Sequence, residues 1–270
     1  MLHSEGDRLR RVVVCPPGEE YFSVSDLAAQ NMIEIPDRLR TREQFSRMTN
    51  LLEKTKTEVI RLDELKGHPN SVFTRDAALC TPMGYIHLRM GLPARRDEEK
   101  WLASCLDAMG EICVGRIFPP GTVEGGDVIL AEPVAFVGRS ARTNSEGIRQ
   151  LKAILEDMAY EVRVLQVPPW SLHLGGVMSV VGPRLVLACG RTFPDGFFEG
   201  FECINISEGK GASGNVITLS SGEVIANSAE NPAGIEALDK RGVRIYSLDL
   251  SEFRKGGGGP SCLILPVDRS

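Results

Sequence analysis

The chain has little that would take it to a membrane, a nucleic acid or an oxidising compartment. No apolar run approaches the roughly eighteen residues of a membrane-spanning helix, and Met1–Asp7 lacks the charged-then-apolar layout of a signal peptide. Lys and Arg number 31 against 36 Asp and Glu, giving a net charge of −5 and a pI near 5.5 with no basic run. That balance argues against a nucleic-acid footprint. The seven cysteines are odd in number, scattered and never spaced Cys-x-x-Cys, which suggests neither a disulfide framework nor a zinc site. These absences lead us to expect a cytoplasmic protein with no zinc site, no nucleic-acid partner and no membrane partner.

What is present suits a soluble globular protein. Hydrophobic residues make up 42% and charged residues 25% of 270 residues, enough for a large core. We expect one domain over 1–270. One order of elements recurs: strand, turn, strand, helix, strand, at a spacing of about fifty residues, a period that signals a repeat architecture. The first unit has strands at Arg11–Cys15 and Glu58–Leu62 around a helix near Thr41–Lys56. The second has Ser71–Thr74, Tyr85–Leu88, a helix over Asp97–Met109 and a strand near Ile112. The third has Asp127–Leu130, Ala135–Gly138, a helix over Asn144–Met158 and Glu161–Leu165. A fourth begins with Gly176–Val181 and Leu185–Ala188, its helix weak or replaced by loop. The fifth has Asn215–Leu219, Glu223–Ala226, a helix over Pro232–Arg241 and Val243–Ser247. Five such α/β units in a ring would bury one another's edges, with Cys262–Leu265 closing the circle beside the first strand. An open α/β sheet is the plainer alternative.

Candidate chemistry falls at the ends of these strands. Four glycines in Lys255-Gly-Gly-Gly-Gly-Pro-Ser-Cys262 lead to a cysteine on a short apolar strand, a placement suited to a nucleophile and also to a buried thiol in a tail. Cys15, Cys80 and Cys189 lie inside apolar runs and read as core. Of the histidines, only His173, followed closely by Gly175 and Gly176, has cleared space around it, as an acid or base working on a ligand needs. Glu124 and Asp127 flank two glycines, and Asp76 follows Phe73-Thr-Arg75. Singly, each carboxylate reads as a cap or turn residue. Together with the cysteine and histidine they describe a site for a flat, positive ligand rich in hydrogen-bond donors.

Pro69-Asn-Ser-Val-Phe-Thr-Arg-Asp76, Arg95-Arg96, Pro120-Gly-Thr-Val-Glu-Gly-Gly-Asp127, Ser140-Ala-Arg-Thr-Asn144, Leu172-His-Leu174 and Gly259-Pro-Ser-Cys262 occur in this order. The series resembles the dimethylarginine dimethylaminohydrolases of the guanidino-modifying superfamily, alongside arginine deiminases and amidinotransferases. The resemblance runs from about Arg11 to Leu265. It implies a five-bladed pseudosymmetric α/β propeller, the pentein fold, built of ββαβ-type repeats. It implies Cys262 as nucleophile, His173 as general acid and base, and Asp76 and Glu124 as carboxylates gripping a guanidinium. Arg95 and Arg142 would bind an α-carboxylate, Asn70 and Asp127 would join the substrate site, and Gly18–Asn31 stands where relatives carry a lid. The implied activity is hydrolysis of the C–N bond of an Nω-substituted arginine, needing neither metal nor organic cofactor, with a small guanidino molecule as ligand and a homodimer left open.

Two departures bear on the substrate. Arg75 stands where methylarginine hydrolases usually carry an acid, in wording closer to arginine deiminases. Gly175 stands where a deiminase usually has aspartate, which removes an anchor for the guanidinium and leaves volume for N-methyl groups. Arginine deiminase, dihydrolase or amidinotransferase chemistry, and an inactive binding protein on the same scaffold, remain the alternatives.

Overall fold

The structure is a computed structural model that describes residues 1–206 and 212–270. It contains five three-stranded sheets of one design. An inner strand runs antiparallel to a middle strand, and the middle strand runs parallel to an outer one. The inner, middle and outer strands are Leu265–Arg269, Leu9–Val14 and Glu58–Arg61 in the first sheet. They are Ala78–Thr81, Gly84–His87 and Cys113–Arg116 in the second, and Val128–Ala131, Val134–Arg139 and Glu161–Gln166 in the third. The fourth has Met178–Gly182, Leu185–Ala188 and Glu202–Asn205; the fifth has Val216–Ser220, Glu223–Asn227 and Arg244–Leu248.

The parallel pairing requires a crossover, and helices supply it in four of the sheets. Ser145–Asp157 buries Ile148, Leu151 and Leu155 along one face, and the Asn144 side chain caps it by accepting from the Gly147 N–H at 2.8 Å. Arg38–Lys54 repeats the device with Phe45, Met48 and Leu52 and an Asp37 cap. The fourth unit has no α-helix at this place among the described residues. A loop carrying Phe193, Phe197, Phe198 and Phe201 does the covering, with the last three rings 5.3–5.6 Å from the Phe136 ring. Aromatic area replaces a helical face, so no helical periodicity was there to read. Among the described residues, no helix is long and apolar enough to cross a membrane.

Two expectations need correction. Ser71–Thr74 is not a strand; Pro69–Val72 and Thr74–Asp76 are single 3-10 turns, the inner strand begins at Ala78, and Phe73 N–H is spent on the Asn70 carbonyl at 2.9 Å. Cys262 is not on a strand either. It lies in the 3-10 turn Pro260–Leu263, and the strand that pairs with Leu9–Val14 starts at Leu265. Both corrections have one cause: a turn is inserted just before the inner strand. Gly125–Asp127 and Leu174–Gly176 are the same device before Val128 and Met178. This turn lifts a side chain out of the sheet alternation and aims it past the strand end.

Candidate active site

The four inserted turns bring together residues remote in sequence. Cys262 and His173 line the same two chambers, a larger one of about 650 Å³ and a smaller one of about 300 Å³. Asp76, Asn70, Arg95 and Arg142 join them on the wall of the smaller chamber. Glutamate 124 is reached through the histidine: His173 Nε2 lies 2.9 Å from Glu124 Oε2. The other ring nitrogen, Nδ1, is 3.8 Å from Asp76 Oδ1.

Glu124 is fully buried and its oxygens are saturated. Oε1 accepts from Gly91 N–H at 2.9 Å and Leu92 N–H at 3.1 Å, and Arg142 Nη1 stands 3.4 Å from both oxygens. Burial alone would raise its pKa, but the bond to His173 and the charges of His173, Arg95 and Arg142 outweigh that and hold it well below the usual carboxylate range. The partner shows the reciprocal effect. Burial disfavours the imidazolium, yet Asp76, Asp127 and Glu124 overcome it and raise His173 to about 9. Near neutral pH the ring therefore carries a proton it can give away.

Asp76 is held at both oxygens, Oδ1 by Gly126 N–H at 3.1 Å and Oδ2 by Arg95 Nη1 at 2.6 Å. Gly126 is required here: a Cβ would lie 2.6 Å from His173 Nδ1 and 2.8 Å from Asp76 Oδ1. Arg95 also donates from Nε and Nη2 to Glu98 Oε2 at 3.0 and 2.7 Å, and from Nη2 to the Phe73 and Asn70 carbonyls. Its guanidinium thus fixes Asp76 while facing the chamber. Asn70 donates to the Gln30 carbonyl at 2.8 Å and the Gln30 side chain at 3.1 Å, while its Oδ1 has no partner among the described residues. That oxygen is buried beside the smaller chamber, an unpaired acceptor that an ammonium group could satisfy once Asn70 turns toward the chamber.

The Cys262 thiol accepts from Gly259 N–H at 3.4 Å. Burial first, then the Asp76 charge, push its pKa up to about 11, while Gly259 N–H, Arg75 and Arg95 pull the other way. Of the four glycines only Gly257 has a left-handed backbone, at φ +82°; Gly258 lies against the Phe73 ring, where a Cβ would come within 2.1 Å. The run serves close approach more than flexibility.

Two expected site residues depart from expectation. Glu124, expected to grip the guanidinium, lines neither chamber and is reached through His173. Asp127 also lines neither chamber. Its oxygens accept from Ser140 Oγ at 2.6 Å and Leu174 N–H at 2.9 Å, so it anchors the backbone beside His173. Burial raises its pKa to about 6. The Gly18–Asn31 segment is likewise divided. Its start is tied down by Gly18, Glu20 and Tyr21 N–H groups on the Glu64 carboxylate, and only Gln30 and Asn31 reach the smaller chamber. Sequence reasoning missed Glu98, three residues after Arg95, and Asn215, which holds the Gly175 carbonyl and Ser261 together at 3.0 and 2.8 Å. The signal for Asn215 was its place just before the fifth inner strand, the counterpart of the four turns. Asp76, Glu124 and His173 bring ligand atoms within 4.8 Å of one another. Arg95, Arg142 and the imidazolium already balance these carboxylates, and we assign no metal ligands here.

The family described as "N,N dimethylarginine dimethylhydrolase, eukaryotic" matches residues 26–269. A dimethylarginine dimethylaminohydrolase of Pseudomonas aeruginosa is 32% identical over 230 residues, 85% of this chain and 89% of that protein. This chain belongs to the dimethylarginine dimethylaminohydrolase family. A solved dimethylarginine dimethylaminohydrolase from Pseudomonas aeruginosa, a cysteine-to-serine mutant complexed with citrulline, is similar at TM-score 0.83 and 29% identity, over 96% of this chain and 99% of that one. The match to an arginine deiminase of Listeria innocua is 28% over 74% of this chain and 62% of that protein. In this chain Cys262 and His173 share both chambers, Asp76 stands on the wall of the smaller one and Glu124 backs the imidazole, an arrangement suited to a flat cation.

Proposed function

We propose that the protein hydrolyses the guanidino C–N bond of an Nω-substituted arginine of the dimethylarginine type, giving citrulline and an amine through a thiouronium on Cys262. The observation that carries this reading is the shared lining of both chambers by Cys262 and His173, with His173 on Glu124. A guanidinium carbon is a poor electrophile, and a thiolate is the strong, soft nucleophile it needs. Burial pushes the Cys262 pKa up to about 11 and keeps the thiol protonated in the free protein, and a cationic substrate beside it favours the thiolate, the proton leaving to solvent. Asp76 then holds the guanidinium planar by charge-assisted hydrogen bonds, with the Glu124 charge behind His173. The thiolate adds to the central carbon. His173 gives its proton to the departing amine as the C–N bond breaks, leaving an S-alkylthiouronium. Neutral His173 next takes a proton from water as the water adds, and the C–S bond breaks to restore the thiolate and leave the ureido product. The thiol proton goes to solvent when the substrate binds, His173 regains from water the proton it gave the amine, and the second water proton leaves with the released amine as its ammonium form. Arg142 takes the α-carboxylate, Arg95 adds its charge while fixing Asp76, and Asn70 Oδ1 takes the α-ammonium.

Five sheets of one design, joined by the pairing of Leu265–Arg269 with Leu9–Val14, support a five-bladed pseudosymmetric propeller forming one domain over residues 1–270. A chain with seven free cysteines is in keeping with a cytoplasmic location.

The test is to incubate the protein separately with asymmetric dimethylarginine and with arginine, and to measure citrulline, dimethylamine, ornithine and ammonia. Citrulline and dimethylamine in equal amounts are expected from the first, with turnover abolished in Cys262→Ser. Normal turnover in that variant would remove the covalent mechanism. A second reading, hydrolysis of free arginine, is favoured by Arg75 beside Asp76; ammonia from arginine at a higher kcat/KM would establish it instead.

A further inference from the structure

The larger chamber contains a charge pair that the catalytic cycle above does not use. Arg75, buried to 6% exposure, forms an ion pair through Nη2 with Glu5 Oε1, and both residues line this chamber with Gly126, His173 and Cys262. Glu5 comes from a segment outside the stretch matched by the family description, which begins at residue 26. It is fixed where it stands: Glu5 N–H donates to the Leu130 carbonyl at 2.7 Å, and Ser4 bridges Ala131 on the third inner strand. Arg75 also donates from Nε to the Gly125 carbonyl at 3.2 Å and from Nη2 to the Val128 carbonyl at 2.8 Å, gripping the turn that follows Glu124.

A permanent cation beside a site for another cation is a defect unless something cancels it. Burial opposes the Arg75 charge and the Glu5 carboxylate outweighs that, so the guanidinium stays charged and its field is matched locally. We propose that Glu5 is a positioning and specificity-determining residue of the catalytic site: paired with Arg75, it neutralises the wall beside Cys262 and fits the larger chamber to a cationic guanidinium. This rests on the functional reading above only for the identity of the substrate. The charged groups facing Cys262 are Asp76, Arg75, Arg95 and His173, with Arg142 on the smaller chamber and Arg254 on the larger. Removing the Glu5 charge adds one uncompensated positive charge to that set. Removing Arg75 adds a negative one.

The two changes must therefore act with opposite sign. Cys262 is labelled across a pH series with iodoacetamide, which is neutral, and with 2-chloroacetamidine, which is cationic; each forms an Sγ–C bond with loss of halide. The modified peptide is quantified by mass spectrometry. In Glu5→Gln, iodoacetamide should label Cys262 faster at neutral pH, because the thiolate is favoured, while the amidine-to-iodoacetamide rate ratio falls about tenfold. KM for the arginine substrate should rise by about the same factor, with kcat changing less. In Arg75→Gln the ratio should rise, and in the double variant it should return to that of the unaltered protein. A residue that only braces the fold would change both labelling rates together and show no restoration in the double variant, and that result overturns the proposal. Should Glu5→Gln not fold, Arg75→Gln and the double variant still decide the sign. The labelling ratio reads the wall charge whether or not any arginine derivative is turned over, so a failed assay for citrulline would leave it intact.

Discussion

The two chambers that meet at Cys262 and His173 are built by opposite means. The smaller is walled by polar groups already committed to one another: Asp76 to Arg95, Arg95 to Glu98, Asn70 to Gln30. The larger is opened by Gly126, Gly175 and Gly176 and lined by the apolar Ile129, Met178 and Val216, and its paired charges, Arg75 and Glu5, cancel each other. One side recognises by fixed charge and the other by room. An amino-acid head carries two charges to be matched, whereas an N-alkyl group carries none and needs only space, so an Nω-substituted arginine fits with its head in the smaller chamber. Variants on the shared wall should cost the most, those on the charged side should act on binding, and those on the open side should act on discrimination.

The largest effect is expected at the shared wall. Glu124→Gln keeps the shape but removes the charged hydrogen-bond partner of His173, one of three carboxylates, with Asp76 and Asp127, that raise its pKa, and kcat should fall about 10²–10⁴-fold. Stopped-turnover assays with dimethylarginine check this; a loss confined to KM would place Glu124 in ground-state binding alone. Gly126→Ala comes next, because the new methyl would press on both His173 Nδ1 and Asp76 Oδ1. Displacing two groups by a few tenths of an ångström should lower kcat about 10²-fold, with the protein still folded by circular dichroism. If kcat is unchanged, the close packing of the imidazole on Gly126 does not matter for turnover. On the charged side, Arg142→Ala should raise KM about tenfold or more with kcat within a few-fold, and an unchanged KM would put the carboxylate clamp elsewhere.

How much of this was legible in the chain follows from which forces wrote it. The five units were readable because buried inner and middle strands are apolar and turn residues punctuate them, and Cys262, His173, Glu124 and Asp76 stood out by their glycine-rich or strand-end settings. Ser71–Thr74 misled because its β-branched and aromatic residues have strand composition while their backbone is spent on turns. Asp127 misled for a related reason. It sits in the same glycine pair as Glu124, and only the sense of the Gly125–Asp127 turn decides which carboxylate faces the histidine ring and which turns back to Ser140. Glu5 and Glu98 are defined by partners, not by neighbours. Seventy residues separate Glu5 from Arg75, and no local pattern records that contact.

The open side of the comparison is tested most gently at Gly175. A Cβ built there meets only the Gly126 carbonyl, at 3.1 Å, and its backbone lies outside the left-handed region that only glycine favours. Gly175→Ala should therefore fold, the gain of about 0.4–1 kcal/mol from restricting the unfolded chain being offset by the few tenths of an ångström that the Gly126 carbonyl must give. The added methyl takes volume from the larger chamber beside His173. If the dimethylamino end of the substrate projects there, kcat/KM for asymmetric dimethylarginine should drop about tenfold relative to that for arginine, the usual cost of one misplaced methyl group in a pocket. Competition between the two substrates in one vessel measures the ratio directly. An unchanged ratio would mean that the alkylated nitrogen points into the smaller chamber, and the charged walls there, not the glycines, would then set the choice of substrate.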